Sequence, residues 1–211
     1  MNTVMERSHR ALAVATLAVA MVVASAAARA QEAPDALVKR VSEDVLATIK
    51  SDPQIQAGNQ ARIREMIETK LLPYFDFTRM TALAMGKNWR AATPDQKKQL
   101  TDEFRTLLVR TYSGALNQYR NETIDYKPLR MNPGDTDVTV HTLVMRRTGQ
   151  PVQMDYGLEK TPDGWKAYDV IVGGVSLVTN YRDEFNSQVE RGGIDGLIKA
   201  LADKNRAPAP K

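Results

Sequence analysis

The middle of the chain reads, from Asp137 to Val172, DVTVHTLVMRRTGQPVQMDYGLEKTPDGWKAYDVIV. Apolar and polar residues alternate along it, and turn-forming residues interrupt it at Thr148-Gly149-Gln150 and at Thr161-Pro162-Asp163-Gly164. Such alternation predicts β-strands with one buried face. Because the connections are short, we expect antiparallel neighbours, since parallel pairs need longer crossovers.

One more strand is predicted upstream, before the turn Asn132-Pro133-Gly134-Asp135. The four predicted strands are 123–130, 137–147, 152–158 and 165–172. Since the register is unknown, the sequence does not assign Val140, Met154 and Tyr156 to one face of the sheet.

Helical patterns precede the strands. Asp35 to Lys50 carries apolar residues at four-residue steps, and a second apolar pattern ends near Pro73. Thr93-Pro94-Asp95-Gln96 is a capping box that predicts the start of a long helix, extending to about Tyr119.

Helical patterns also follow the strands. Val175 to Arg191 predicts a helix, in which Ser176 is an N-cap, and a shorter helix follows Gly192-Gly193. The order of helices, strands and helices predicts an α+β fold with a twisted four-stranded antiparallel sheet and a helical subdomain.

The first thirty residues are typical of a secretory signal peptide. Arg7 and Arg10 precede an uncharged apolar run from Ala11 to Ala24, and Ala28-Arg29-Ala30 provides a cleavage site after Ala30. The run is too short for a membrane-spanning helix, which needs about 20 residues. We therefore expect a secreted, soluble mature chain.

The predicted organisation follows from these boundaries. Residues 1–30 are the signal peptide, 31–205 a single domain and 206–211 a flexible tail. Within the domain, the helical part spans about 35–120, the sheet about 122–173 and the C-terminal helices about 175–204.

Composition excludes several classes of protein. The chain has no Cys, which rules out disulfides, zinc–thiolate sites and thiol catalysis. Its net charge of +4 falls to +2 when cleavage removes three arginines and one glutamate, so we expect no nucleic-acid binding. Cleavage also removes His9, and the one remaining histidine, His141, cannot form a multi-histidine metal site.

Candidate catalytic groups are few. His141 stands within a strand, and Ser176 lacks the surrounding G-x-S-x-G pattern of a hydrolase. Asp155 and Asp169 are strand carboxylates that could face a cavity, as in isomerases with cone-shaped folds, although solvent-facing alternation explains them equally well.

Large apolar side chains are the more distinctive feature. Aromatic residues recur through the helical part and the sheet, from Tyr74 to Phe185. They could fill the core, or a curved sheet with helices over it could enclose an apolar cavity for a ligand.

Two stretches of the chain resemble a known family. The first contains Phe75-Asp76-Phe77-Thr78-Arg79-Met80, Ala84-Met85-Gly86-Lys87-Asn88-Trp89 and the capping box, followed by Phe104. The second contains Trp165-Lys166-Ala167-Tyr168-Asp169-Val170, Gly174-Val175-Ser176-Leu177-Val178, Asn180-Tyr181-Arg182 and Phe185. In this order, after a signal peptide, they resemble the MlaC-type periplasmic phospholipid-binding proteins, also called the toluene-tolerance family.

The resemblance implies a fold and a role. The fold would be a cone-like sheet, related to nuclear-transport-factor-like proteins, with an apolar pocket between sheet and helices. The role would be that of a periplasmic phospholipid carrier of the Gram-negative envelope, with no enzymatic activity and no cofactor other than its bound lipid. Its partners would be the lipid-binding ring protein of an inner-membrane ABC transporter and an outer-membrane lipoprotein–porin complex.

The resemblance also implies which residues contact the lipid. The expected pocket residues are Phe104, Leu108, Tyr112, Val140, Val144, Met154, Tyr156, Trp165, Val170, Val172, Val175, Leu177 and Tyr181, with Phe75, Phe77 and Met80 as second choices. Arg146, Arg147 or Lys166 is expected near the phosphate. Three other functions remain possible from the sequence. They are a cone-fold isomerase using Asp155 or Asp169, an interaction protein whose core is filled by its own side chains, and a carrier of sterol-like cargo.

Overall fold

The computed structural model describes residues 31–116, 122–146 and 149–207. The predicted signal peptide, Tyr119, Arg147 and the last residues of the tail lie outside the described residues. The α-helices in this part of the chain are α1 (Pro34–Ser51), α2 (Pro53–Gln56), α3 (Gln60–Met66), α4 (Phe77–Met85), α5 (Pro94–Leu116) and α6 (Arg182–Arg206). A π-helix (Ile67–Leu71) and 3-10 turns (Leu72–Tyr74, Gly86–Ala91, Thr179–Tyr181) link them.

Local sequence accounts for how the helices begin and bend. Pro34 opens α1, where its missing N–H costs nothing. At α5 the predicted capping box is confirmed: Gln96 N–H donates to Thr93 Oγ1 at 3.2 Å, and Thr93 N–H donates to Gln96 Oε1 at 3.0 Å. Gly193 has φ 67° and ψ −172°, and it kinks α6 at the predicted glycine pair. No helix within the described ranges is both long and apolar enough to cross a membrane.

The α+β class is confirmed, with a correction to the sheet. Within the described residues, five antiparallel strands lie in chain order: β1 (Thr123–Tyr126), β2 (Asp137–Met145), β3 (Val152–Thr161), β4 (Gly164–Val172) and β5 (Val175–Ser176). The prediction of four strands, with a helix from Val175, is wrong at this point. Gly173 (φ 57°) and Gly174 (φ 85°) form a two-residue turn that folds β5 back against β4.

Strand register assigns the two faces of the sheet. Val140 pairs with Tyr156, which pairs with Val170, and Met154 lies two positions along β3 on the same side. This face turns towards α1. A bulge between Gly157 and Leu158 shifts the register with β4.

In the part of the chain that the structure describes, three apolar clusters make up the core. One joins α4, α5 and α6 around Phe104 and Phe185. A second packs α1 against the sheet around Val140 and Trp165. A third joins the end of α1 to α2, α3 and the π-helix around Ile63. The helices therefore bury their apolar faces against several partners.

Two groups of contacts hold the start of α4 against the sheet. Phe75 forms a parallel bridge with Ala167 of β4, and Asp76 N–H donates to Ala167 O at 2.9 Å. Arg79 on α4 pairs with Asp137 and Glu159, and its guanidinium lies 3.7 Å from the ring centre of Tyr168. These contacts determine where α4 begins relative to the sheet.

We predict that Phe104→Ala lowers the free energy of unfolding by about 3–5 kcal/mol, because removal of this fully buried aromatic ring leaves a cavity. The Phe104 ring makes edge-to-face contacts with the rings of Tyr181 and Phe185, with ring centres 5.2 and 5.1 Å apart. The substitution would also remove these contacts. Urea denaturation measures the change, with Val175→Ala as the exposed control. A loss below about 1 kcal/mol would contradict the central place of Phe104 in this cluster.

Candidate ligand-binding cavity

A cavity of about 360 Å³ lies where the three clusters meet. Its wall combines α1, the segment from the π-helix to α4, α5 and the inner face of the sheet. The lining residues are Ser42, Val45, Leu46, Ile49, Ile67, Leu71, Leu72, Phe75, Phe77, Met80, Leu108, Val109, Tyr112, Ser113, Ala115, Leu116, Ile124, Val144, Met154, Tyr156, Val170, Val172 and Leu177.

The described wall contains no charged side chain. Its polar groups are four hydroxyls, two from serine and two from tyrosine. Burial, with an added contribution from Tyr181, raises the pKa of Tyr112 to about 12, so its hydroxyl stays protonated at neutral pH. Tyr156 donates to Met154 Sδ at 3.0 Å. Such a surface suits an apolar ligand that carries few hydrogen-bonding groups.

The structure brings many of the expected pocket residues together. Eight of them line the cavity: Leu108, Tyr112, Val144, Met154, Tyr156, Val170, Val172 and Leu177. The second choices Phe75, Phe77 and Met80 line it as well. Their contact with a ligand stays a prediction.

The other expected residues lie outside the cavity wall. Phe104 and Tyr181 pack into the helical cluster, and Val140 and Trp165 pack against α1. Val175 is 55% exposed on the edge strand β5. A residue that lines the cavity and a residue that packs in a neighbouring cluster show the same apolar pattern in the sequence. The sequence therefore could not distinguish the two.

The three cations expected near a phosphate do not form one group. Arg146 is exposed just beyond the end of β2, two residues after the lining residue Val144. Lys166 lies opposite Glu159 in the register of β3 and β4, at the other end of the sheet. The distance from Arg146 to Lys166 along the strands is roughly 25–30 Å. Its Nζ donates to Pro73 O at 2.6 Å. Arg147 lies outside the described residues.

Sequence reasoning missed the α1 and π-helix walls. Val45 and Ile49 belong to the apolar stripe recognised in α1, but nothing in the stripe shows that its later turns border a cavity. Ile67, Leu71 and Leu72 belong to the second helical pattern, and Ser113 belongs to the long helix α5. Only the packing of distant elements identifies these residues.

The candidate catalytic groups lie on the opposite face of the sheet. Asp155 alternates with Met154 and Tyr156, and Asp169 alternates with Val170, so both carboxylates point away from the cavity. His141 Nδ1 lies 3.1 Å from Asp155 Oδ1 on that outer face. The hypothesis that these carboxylates face a cavity is therefore wrong for the cavity found here. Among the described residues, no acidic or histidine cluster could hold a metal ion.

Ser176 has a different local role from the one predicted. Its Oγ accepts from Val178 N–H at 3.2 Å and from Thr179 N–H at 2.9 Å. It therefore caps the 3-10 turn Thr179–Tyr181 rather than a helix that begins at Leu177, because β5 occupies the start of this segment.

We predict that Asp169→Asn stabilises the protein increasingly as the pH rises through the acidic range. Burial raises the pKa of Asp169 above its ordinary value, although contacts with Ser176 and with the N–H groups of Val170 and Val178 oppose the rise. The ionised carboxylate therefore costs more in the folded than in the unfolded chain, and this cost appears only above the unfolded pKa.

Chemical denaturation at a series of pH values between about 3 and 8 measures the effect. The stability difference between Asp169→Asn and the unmodified protein should grow through the acidic range and then level off. Asp163→Asn, on the exposed turn before β4, removes the same charge as a control. A difference that shrinks with rising pH would contradict the prediction.

This chain is similar in sequence and fold to several known proteins. A phospholipid-binding protein from Ralstonia solanacearum, solved in complex with a phospholipid, is 44% identical, with a TM-score of 0.76 over 81% of this chain and 96% of that one. The toluene tolerance protein ttg2D of Pseudomonas putida is 25% identical over 84% of this chain and 86% of the relative. The intermembrane phospholipid transport system binding protein MlaC of Haemophilus influenzae is 19% identical over 85% of each.

The family comparison covers most of the chain. The model of the family described as MlaC protein matches residues 39–203, which begin within α1 and end in the last turn of α6. This span includes both stretches that carry the resemblance and all the residues that line the cavity. The chain therefore belongs to the MlaC family.

Proposed function

We propose that this protein binds phospholipid in its cavity and carries it through the periplasm between the outer and inner membranes. The observation that carries the proposal is a cavity of about 360 Å³ whose described wall has no charged side chain. The similar Ralstonia protein was solved with a phospholipid, which supports the same class of ligand here. The lipid-binding domain would be residues 31–205.

The energetics of lipid transfer explain why such a cavity is needed. Moving one methylene out of water is favourable by about 0.8 kcal/mol, so a chain of roughly 14 methylenes is worth about 11 kcal/mol. A free lipid crossing water would lose that amount for each chain. A carrier compensates with an apolar wall, and a small difference in affinity between carrier and membrane complex then allows exchange. No covalent step is required, so we propose a carrier rather than an enzyme.

Cavity volume bears on how the lipid would fit. An engineered cavity of about 150 Å³ holds one benzene, or about 25 Å³ per carbon. On that scale a volume of about 360 Å³ corresponds to about 14 carbons, close to one acyl chain. A diacyl lipid would require the wall to widen, or would leave part of its second chain outside the volume.

The phosphate would remain outside the uncharged wall. Of the described cations considered, Arg146 is exposed and stands two residues after the lining residue Val144, so we propose it as the candidate for a headgroup contact. Arg147 follows it in the chain and stays a candidate on sequence grounds. Lys166 is the weaker candidate, because its ammonium already donates to the Pro73 carbonyl.

Membership of the MlaC family supports a proposal for the location and the partners. We propose that the signal peptide is cleaved after Ala30 and that the mature protein exchanges lipid with two membrane complexes. These are the lipid-binding ring protein of an inner-membrane ABC transporter and an outer-membrane lipoprotein–porin complex. Such exchange would maintain lipid asymmetry of the outer membrane.

A carrier of another hydrophobic ligand is the second candidate, because an uncharged wall does not distinguish an acyl chain from a sterol-like ring system. Native mass spectrometry of protein purified from the periplasm without detergent, followed by solvent extraction, separates the two. We expect stoichiometric adducts that extract as phospholipids. A different extracted lipid would favour the second candidate, whereas an apo mass that persists after incubation with liposomes would reject both.

We also predict that Val172→Asp reduces lipid occupancy at least about tenfold, because a charge in the wall must lose its hydration when a chain binds. Val175→Asp is the matched control, since Val175 pairs with Val172 across the strands but is 55% exposed outside the wall. Native mass spectrometry measures occupancy, and circular dichroism checks the fold. Val172→Trp, which occupies the cavity without adding charge, should also reduce occupancy. Full occupancy in both Val172 variants would show that the ligand binds elsewhere.

A further inference from the structure

One hydroxyl in the cavity wall differs from the other polar groups there. Ser113 lies in the last turns of α5, and its side chain lines the cavity between apolar neighbours on the same helix. Only 6% of the residue is exposed. The hydroxyl of so deeply buried a residue is normally hydrogen-bonded to protein or to ordered water.

The structure shows no hydrogen-bond partner for the Ser113 hydroxyl among the described residues. Hydroxyls within helices often donate to the carbonyl four residues earlier. On the same helix, Thr101 donates to Lys97 O at 2.8 Å and Thr106 donates to Asp102 O at 2.9 Å. Ser113 makes no such bond to Val109, although both residues line the cavity. Its hydrogen-bonding capacity therefore remains available to a ligand.

The other hydroxyl-bearing residues of the described wall differ from Ser113 in exposure or in contacts. Tyr156 is half-buried and donates to Met154 Sδ at 3.0 Å. Tyr112 is half-buried at the edge of the helical cluster, and Ser42 is half-buried near Tyr126. Ser113 is therefore the most deeply buried of the four hydroxyl-bearing lining residues in the described part of the chain.

We propose that the Ser113 hydroxyl donates a hydrogen bond to an ester carbonyl of the bound lipid and so sets how deeply the lipid enters the cavity. This inference rests on the proposed lipid-binding function. Ester carbonyls are uncharged acceptors next to the acyl chains, and they match a single donor in a wall without charges. A phosphate is a poorer match, because it would have to lose its hydration without gaining a cation.

Ether-linked lipids provide a direct test because they lack the carbonyl oxygens but keep the chains and the headgroup. Protein from the periplasm, stripped of lipid, would be incubated with vesicles containing equal amounts of diacyl and dialkyl phosphatidylcholine of the same chain length. Native mass spectrometry distinguishes the two complexes by mass. We expect the unmodified protein to prefer the ester lipid by about two- to tenfold, the effect of one hydrogen bond.

The variant Ser113→Ala should bind both lipids with a ratio near one. Alanine is compatible with a helix, and circular dichroism checks that the variant folds. Thr106→Val is the matched control, because it removes a hydroxyl from the same helix outside the cavity and should keep the ester preference.

The possible outcomes distinguish the role of Ser113 from the proposed lipid-binding function. Equal binding of both lipids by the unmodified protein, or an ester preference that survives in Ser113→Ala, would overturn the role of Ser113 while leaving lipid binding intact. Failure of the unmodified protein to bind either lipid would overturn the proposed function as well.

Discussion

The backbone contact between Phe75 and Ala167 connects the helical part of this protein to its sheet. Phe75 packs at the edge of both the helical cluster and the sheet cluster, and it also lines the cavity. Arg79 supports the contact one helical turn later through Asp137, Glu159 and the ring of Tyr168. Because α4 starts from this junction, the positions of Phe77 and Met80 in the cavity wall depend on it.

The cavity forms because different turns of each helix pack against different partners. The first turns of α1 pack on the sheet, while its last turns pack on α2, α3 and the π-helix. The long helix α5 packs mainly on α4 and α6, with Val109 and Leu116 reaching the third cluster. Each cluster is filled around its own buried residues, so the space left empty is the one they share. That space is mostly apolar because the helices and strands that border it turn their apolar sides inward.

The two faces of the sheet have different chemistry. The inner face presents Val144, Met154 and Val172 to the cavity, and the outer face carries Asp155, Asp169 and His141. Alternation along each strand keeps the carboxylates away from the apolar wall, which suits the proposed transfer of lipid better than catalysis. Within the wall, Ser113 combines deep burial with a hydroxyl available to a ligand, and the proposed ester contact follows from that combination.

The sequence by itself determined the elements that depend on neighbouring residues. The capping box at Thr93, the alternation of β2 to β4 and the turn between Thr161 and Gly164 are local signals, and the structure follows them. The Gly173-Gly174 turn was also present in the sequence, but the apolar residues after it favoured a helix where β5 forms. Tertiary structure alone decided which apolar residues line the cavity. Val172 in the wall, Trp165 in the sheet core and the exposed Val175 are all apolar residues of one short region, and the elements packed against each of them determine its role. Residues distant in the chain supply those contacts, so no local pattern encodes them.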